Sequence, residues 1–318
     1  MKKKNVIALA CAVMCLCSAC KEEVPDLMIG AMPVDGQVID LASAIQEEQC
    51  VKDAVIAEDT DSVVKDFAVR LFRQNFQEEE NTLISPVSVL YALGMTANGA
   101  EGETLSQMEA VLGTDIDSLN PYLYAYKERL PEDEKYKLSM ANSIWLKDDD
   151  TLEVKKDFLE SNRTWYDADI YQAPFDEGTL ENINSWVNKH TDGMIEEILD
   201  KIPEDARLYL INALAFAAEW KDAYDAYQVH DAFFTDENGQ KIKKEFMYCE
   251  ENQYLEDEDT TGFIKYYKGK KYAFVALLPN EGISIPEYVQ SLTGEKLDML
   301  LEQAEHIPVD TALPKFET

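Results

Sequence analysis

Residues 81–113 read NTLISPVSVLYALGMTANGAEGETLSQMEAVLG, and this stretch decides the fold. Leu83-Ile84 is a short apolar run that predicts a strand. Ser85-Pro86 then opens a helix. A serine side chain caps free amide groups, and proline suits the first helical position because its missing N–H needs no partner there. Leu90, Leu93 and Ala97 recur at helical spacing, and Ala92 and Met95 widen the apolar face. Asn98-Gly99 stops this helix. Thr104-Leu105-Ser106-Gln107 has the form of a capping box and predicts a second helix that turns Leu105, Met108 and Leu112 inward. Gly113 ends it. A strand, two helices and tight punctuation in so short a stretch predict a densely packed hinge.

The same residues resemble the serpins. That family's pattern runs Asn, two apolar residues, Ser-Pro-x-Ser, then Ala-Leu and Gly-Ala-x-Gly-x-Thr. Here stand Asn81, Leu83-Ile84, Ser85-Pro86-Val87-Ser88, Ala92-Leu93 and Gly99-Ala100-Glu101-Gly102-Glu103-Thr104. The resemblance implies an α+β fold with a large central, mainly antiparallel sheet, a second sheet and about eight surrounding helices. It also implies a protease inhibitor built on a metastable sheet.

Composition sets the outer bounds. At 318 residues the chain is long enough to bury a sizeable core, in one large domain or two ordinary ones. Hydrophobic residues make up 46 %, which fits globular packing. A net charge of −33 argues against nucleic-acid backbones and anionic membrane surfaces as partners. Such charge keeps the chain soluble, and would also steer a basic protease toward it.

Residues 1–20 are read as a targeting segment outside the fold. Lys2-Lys3-Lys4 is a basic start, and residues 6–16 form an apolar run too short to span a bilayer as a helix. Cys17-Ser18-Ala19-Cys20 resembles a bacterial lipobox, with Cys17 where leucine is usual, and the resemblance makes Cys20 the lipidated residue. Lys21-Glu22-Glu23 resembles acidic tags associated with surface export. The expected location is therefore outside the cytoplasm, anchored by lipid to the outer membrane or cell surface. Four of the six cysteines fall in or end this segment, which leaves Cys50 and Cys249; they could pair, but their distance in sequence is weak grounds for a bridge. No metal-ligand spacing is present, and no cofactor is implied.

Residues 21–60 lack a period and read as a tether, with a short helix near 41–50. The domain proper is placed at 61–318. Val64, Phe67, Ala68, Leu71, Phe72 and Phe76 mark its first amphipathic helix. Further on, 115–134 reads as helix and acidic loop, 138–146 as strand, Phe158-Leu159 as helix and 168–171 as a short strand. Residues 181–199 read as a helix with a break at Gly193-Met194-Ile195; His190 within it fits a surface histidine better than a catalytic base. The apolar run at 208–216 crosses a buried sheet, interrupted only by Asn212. A buried amide must find partners or costs about 1–3 kcal/mol. Residues 233–247 predict a hairpin, 262–267 and 271–278 paired strands of the second sheet, and 285–301 one or two short helices. EDEDTTG at 256–262 fails as a calcium loop, because Thr261 and Lys268 stand where oxygen donors are required. Leu313-Pro314-Lys315-Phe316 matches the family's sixth strand of the main sheet.

Carried over residue by residue, the resemblance assigns Ser85, Ser88 and Asn212 to a polar cluster that governs opening of the main sheet. It puts Trp220 at the breach where the family's reactive loop first enters. The usual Lys-Gly before that tryptophan is replaced by Ala217-Ala218-Glu219, which puts the local turn in question. The family's later strands, hinge and reactive bond match nothing in 1–318, so the sequence is expected to be a piece of a longer protein. A chain ending at residue 318 is expected to be poorly stable, because it would expose sheet edges. There are no catalytic residues in this reading: no Gly-x-Ser-x-Gly, no His-Glu-x-x-His and no phosphate loop occurs. The implied partner is a serine protease, with cysteine proteases as a second class, and the implied state is a monomer. The alternative is a non-inhibitory, serpin-like surface lipoprotein acting as a binding or scaffold module.

Overall fold

The computed structural model describes residues 5–15, 33–34, 38–41, 45, 59–78, 80–236 and 239–316. In chain order the strands are β1 (Asn5–Cys15), β2 (Pro33–Val34), β3 (Val38–Asp40), β4 (Tyr136–Lys147), β5 (Ala168–Ala173), β6 (Leu208–Ala218), β7 (Val229–Thr235), β8 (Lys241–Glu251), β9 (Tyr254–Glu256), β10 (Thr260–Tyr266), β11 (Ala273–Pro279) and β12 (Val309–Pro314). The helices are α1 (Thr60–Asn75), α2 (Pro86–Ala97), α3 (Gly102–Leu112), α4 (Ile116–Glu128), α5 (Lys156–Tyr166), α6 (Glu177–His190), α7 (Ile285–Ser291) and α8 (Gly294–Glu302). The fold is α+β, as expected.

β6 is the axis. Its residues alternate between the two faces of the central sheet, as the two-residue period of a strand requires. Leu208 and Leu210 join the core under α1 to α5, while Tyr209, Ile211 and Ala213 join the core under α6. The sheet runs in the order β1-β6-β4-β5-β3-β2, antiparallel except for the β4–β5 pair. Two three-stranded sheets complete the molecule, β11-β10-β9 and β12-β8-β7.

Several expectations are corrected. Within the segment read as a targeting sequence, Asn5–Cys15 runs as a strand along all of β6, from Asn5↔Ala218 to Cys15↔Leu208. A long apolar run satisfies its backbone groups wherever a strand edge is open, and β6 presents one. Within the segment read as a tether, Val38–Asp40 pairs with the edge of β5; Val38 is 7 % and Ile45 6 % exposed, each buried in a core cluster. Leu41 is in no helix, and the rest of the helix expected near it lies mostly outside the described residues. Leu83-Ile84 forms no strand, and Leu83 is 47 % exposed. The helix assigned to 181–199 runs over Glu177–His190, capped at its start by Asp176, and 191–199 is irregular. α3 begins at Gly102 with no side-chain cap, so Thr104 lies inside the helix and caps nothing. Leu313-Pro314-Lys315-Phe316 is expected in the main sheet, but Leu313 and Pro314 end β12, which pairs with β8 from Val309↔Glu251 to Pro314↔Phe246. The edge of β8 is the one that meets it in this fold, and strand partners are chosen by available edges as much as by side chains.

Candidate functional site

Ser85 caps α2, with its Oγ accepting from Ser88 N at 3.3 Å, and it donates to Ser88 Oγ at 3.0 Å. Pro86 occupies the first turn, where it costs no hydrogen bond. Ser88 is fully buried on α2, which packs on β6. Asn212 shares the β6 face of Leu208 and Leu210, so it is directed to the α2 side of the sheet. Its Nδ2 donates to Asn142 Oδ1 at 2.8 Å, and Asn142 Nδ2 donates to the Tyr166 carbonyl at 2.7 Å. The Oδ1 of Asn212 is buried and has no hydrogen-bond partner among the described residues.

The nominated residues fall into two pairs, Ser85–Ser88 at the start of α2 and Asn212–Asn142 across neighbouring strands. Asn142 falls within the strand read at 138–146, and its direct pairing in register with Asn212 brings it to the same place. Tyr166 belongs as well. Its hydroxyl donates to Asn120 Oδ1 at 2.7 Å, Asn120 exchanges hydrogen bonds with Asn98, and burial pushes the phenol well above its ordinary value. A Cβ at Gly94 would stand 2.2 Å from the Tyr166 hydroxyl, so only glycine lets this ring reach α2.

Past the end of β6, Trp220 lies flat on Tyr267, with centroids 4.3 Å apart and planes at 7°, and meets the edge of Phe274. The departure at Ala217-Ala218-Glu219 is absorbed locally. Ala218 is buried as the last residue of β6, and Glu219 forms an ion pair with Lys268 at 2.6 Å. The Lys268 amide also donates to the Glu219 carbonyl at 2.9 Å. Beneath Trp220 lies Lys265 on β10, only 1 % exposed, with its Nζ 2.5 Å from Glu251 and 5.4 Å from the Trp220 ring centre. Neither member of that pair stood out in the sequence, where Lys265 is one basic residue among many.

The remaining candidates fall elsewhere. His190 is half-buried on α6, its Nδ1 2.7 Å from the Trp186 carbonyl and its ring tilted 34° against Trp186 with centroids 4.2 Å apart. In the 256–262 segment, Asp257 accepts from the Asp259 and Thr260 amides at 2.8 Å, and the Lys296 ammonium pairs with Asp259. No His, Cys, Asp or Glu group among the described residues is arranged to hold a metal ion. Cys20 and Cys50 lie outside the described residues, while Cys249 is a free thiol.

Comparison with known proteins bears directly on this architecture. The family model described as "Serpin (serine protease inhibitor)" matches residues 62–318. The thermophilic serpin tengpin, solved in its native state, is 45 % identical with a TM-score of 0.82, covering 88 % of this chain and 73 % of that one. Tengpin solved in its latent state is 48 % identical with a TM-score of 0.77, covering 83 % and 72 %. Human serpin I2 is 26 % identical over 269 residues, covering 79 % of this chain. The chain spans 65 % of the length of serpin I2. With the family model matching residues 62–318, which hold β4 to β12, α2 to α8 and Asn212, this chain belongs to the serpin family.

Proposed function

We propose that the protein inhibits serine proteases in the serpin manner, by taking up a cleaved loop as an extra strand beside β6. The observation that supports this reading is the serpin-family match over residues 62–318, with Ser88 and Asn212 both buried where α2 packs on β6. In this mechanism the target protease attacks an exposed loop and forms an acyl-enzyme. Insertion of the loop then releases stored strain and distorts the protease before deacylation. The inhibitor is consumed and needs no active site of its own. Ser85, Ser88, Asn212 and Asn142 would set how readily the strands part, and Trp220 would guard the end where the loop enters.

The test uses the full-length gene product with a panel of serine proteases of differing specificity. A covalent complex that survives denaturing electrophoresis, formed in proportion to protease, supports the reading. Cleavage without a complex by every protease would leave the binding-module alternative. The expected lipid at Cys20 is proposed on the lipobox resemblance alone. Incorporation of a labelled fatty acid, lost in Cys20→Ala, is the result that reading requires.

A further inference from the structure

Cys249 sits at a meeting point of β8, β10, β12 and the segment after β6. Its Sγ is 3.6 Å from Lys265 Nζ, 3.3 Å from Glu251 Oε1 and 3.2 Å from Thr311 Oγ1. Cys249 and Glu251 lie two apart on β8 and so share one face, while Thr311 is the strand partner of Cys249. The Lys265 ammonium is fixed between aromatic rings, 4.5 Å from the centre of Tyr224 and 5.4 Å from that of Trp220. The Tyr224 hydroxyl oxygen is buried with no hydrogen-bond partner among the described residues. A thiol, an immobilised amine, a carboxylate able to take a proton from either, and an unused donor are thus within reach of one another.

We propose that Cys249 and Lys265 form a reversible oxidative crosslink, Sγ–O–Nζ, with dioxygen as the oxidant. One thiol, one ammonium and one O₂ give the bridge, one water and one proton. The S–H bond, two N–H bonds and the O–O bond break, and S–O and O–N bonds form. Sulfur and nitrogen each lose two electrons, which reduce the two oxygen atoms; one oxygen stays in the bridge and the other leaves as water. Glu251, with its Oε1 2.5 Å from Lys265 Nζ, is placed to receive the released proton. The inserted oxygen would offer an acceptor to Tyr224, and it closes the 3.6 Å gap with less movement than a direct S–N bond. Excess dithiol reverses the step, becoming disulfide while the oxygen leaves as water. The crosslink would tie β8 to β10 beneath Trp220, and it is independent of whether the protein inhibits a protease.

The experiment compares the purified chain held without oxygen and in aerated buffer, by intact mass and tryptic peptide mapping. The expected result is a gain of one oxygen and loss of two hydrogens, with Cys249 no longer alkylated, no cleavage after Lys265, and a linked peptide joining the two residues. Dithiothreitol should restore the starting mass, and Cys249→Ser and Lys265→Arg should each abolish the change. The map of the unsubstituted protein decides the matter even if a variant fails to fold. Sulfinic acid on Cys249 with Lys265 unmodified, a disulfide to Cys50, a crosslink lacking the oxygen, or no change would each overturn the proposal.

Discussion

Two polar clusters are buried along the same strand system, and they are built on opposite principles. In the middle of β6 the cluster is neutral: Asn212, Asn142, Ser85 and Ser88 exchange single hydrogen bonds, and the Asn212 Oδ1 is left without a partner. Beyond the end of β6 the cluster is ionic: Lys265 and Glu251 lie 2.5 Å apart under Trp220, with side chains 2 % and 12 % exposed. A neutral amide tolerates an incomplete set of partners at modest cost, whereas an uncompensated charge does not. The middle of the sheet is thus joined by weak, separable contacts, and its end is clamped. In a sheet proposed to admit a strand, that division puts separable contacts at Asn212 and a clamp at the Trp220 end, where the loop would first enter.

The contrast is broken most directly at the clamp. Glu251→Ala leaves the Lys265 ammonium buried alone and should cost about 3–5 kcal/mol in denaturant unfolding. Replacing both Glu251 and Lys265 by methionine should recover most of that loss. If the single substitution costs no more than an exposed ion pair, the two clusters are not different in kind. Next in size is Asn142→Ala, which removes the partner of Asn212 and the donor to the Tyr166 carbonyl together. It should cost roughly 1–3 kcal/mol by the same measurement, and more than Ser143→Ala on the opposite face.

Alkaline pH sharpens the comparison without mutation. Burial pushes the phenol of Tyr267, the ring under Trp220, from 10.0 up to about 12. The unfolded chain therefore loses this proton first as pH rises. Stability from this group is complete below pH 10.0 and declines as pH climbs toward about 12. By one unit above the ordinary value it should have fallen by about 1 kcal/mol, and Tyr267→Phe should flatten that slope. A slope unchanged in Tyr267→Phe would mean the ring is not held as tightly as its stacking implies. The smallest effect belongs to the cap. Ser85→Ala should cost about 1 kcal/mol and Ser85→Gly only a few tenths, read as a shift in denaturation midpoint.

Much of this was legible because it is local. Ser85 capping α2, Gly113 closing α3 in a left-handed conformation (φ 87°), and the amphipathic spacing of α1 depend on neighbours three or four residues away. Asn212 was legible too, because an amide inside an apolar strand announces a required partner. The partner was not, since Asn142 lies 70 residues away in sequence and only the antiparallel register of β4 and β6 brings them level. Thr104 misled for a related reason. A capping box needs an extended residue at its start, and Glu101 already supplies the extended position one residue before Gly102.

By itself the sequence determined the family, the amphipathic spacing of α1, the cap of α2 and the stop of α3 at Gly113, since these are carried by motif residues, periodicity and short-range hydrogen bonding. Tertiary structure alone decided that Val38–Asp40 closes onto β5, that β12 pairs with β8, and that Lys265, Glu251, Cys249 and Tyr224 converge under Trp220. The physical reason is the same in each case. A strand edge accepts any backbone that reaches it, and a buried charge is stable only beside a counter-charge. Which backbone and which counter-charge arrive depends on the whole path of the chain.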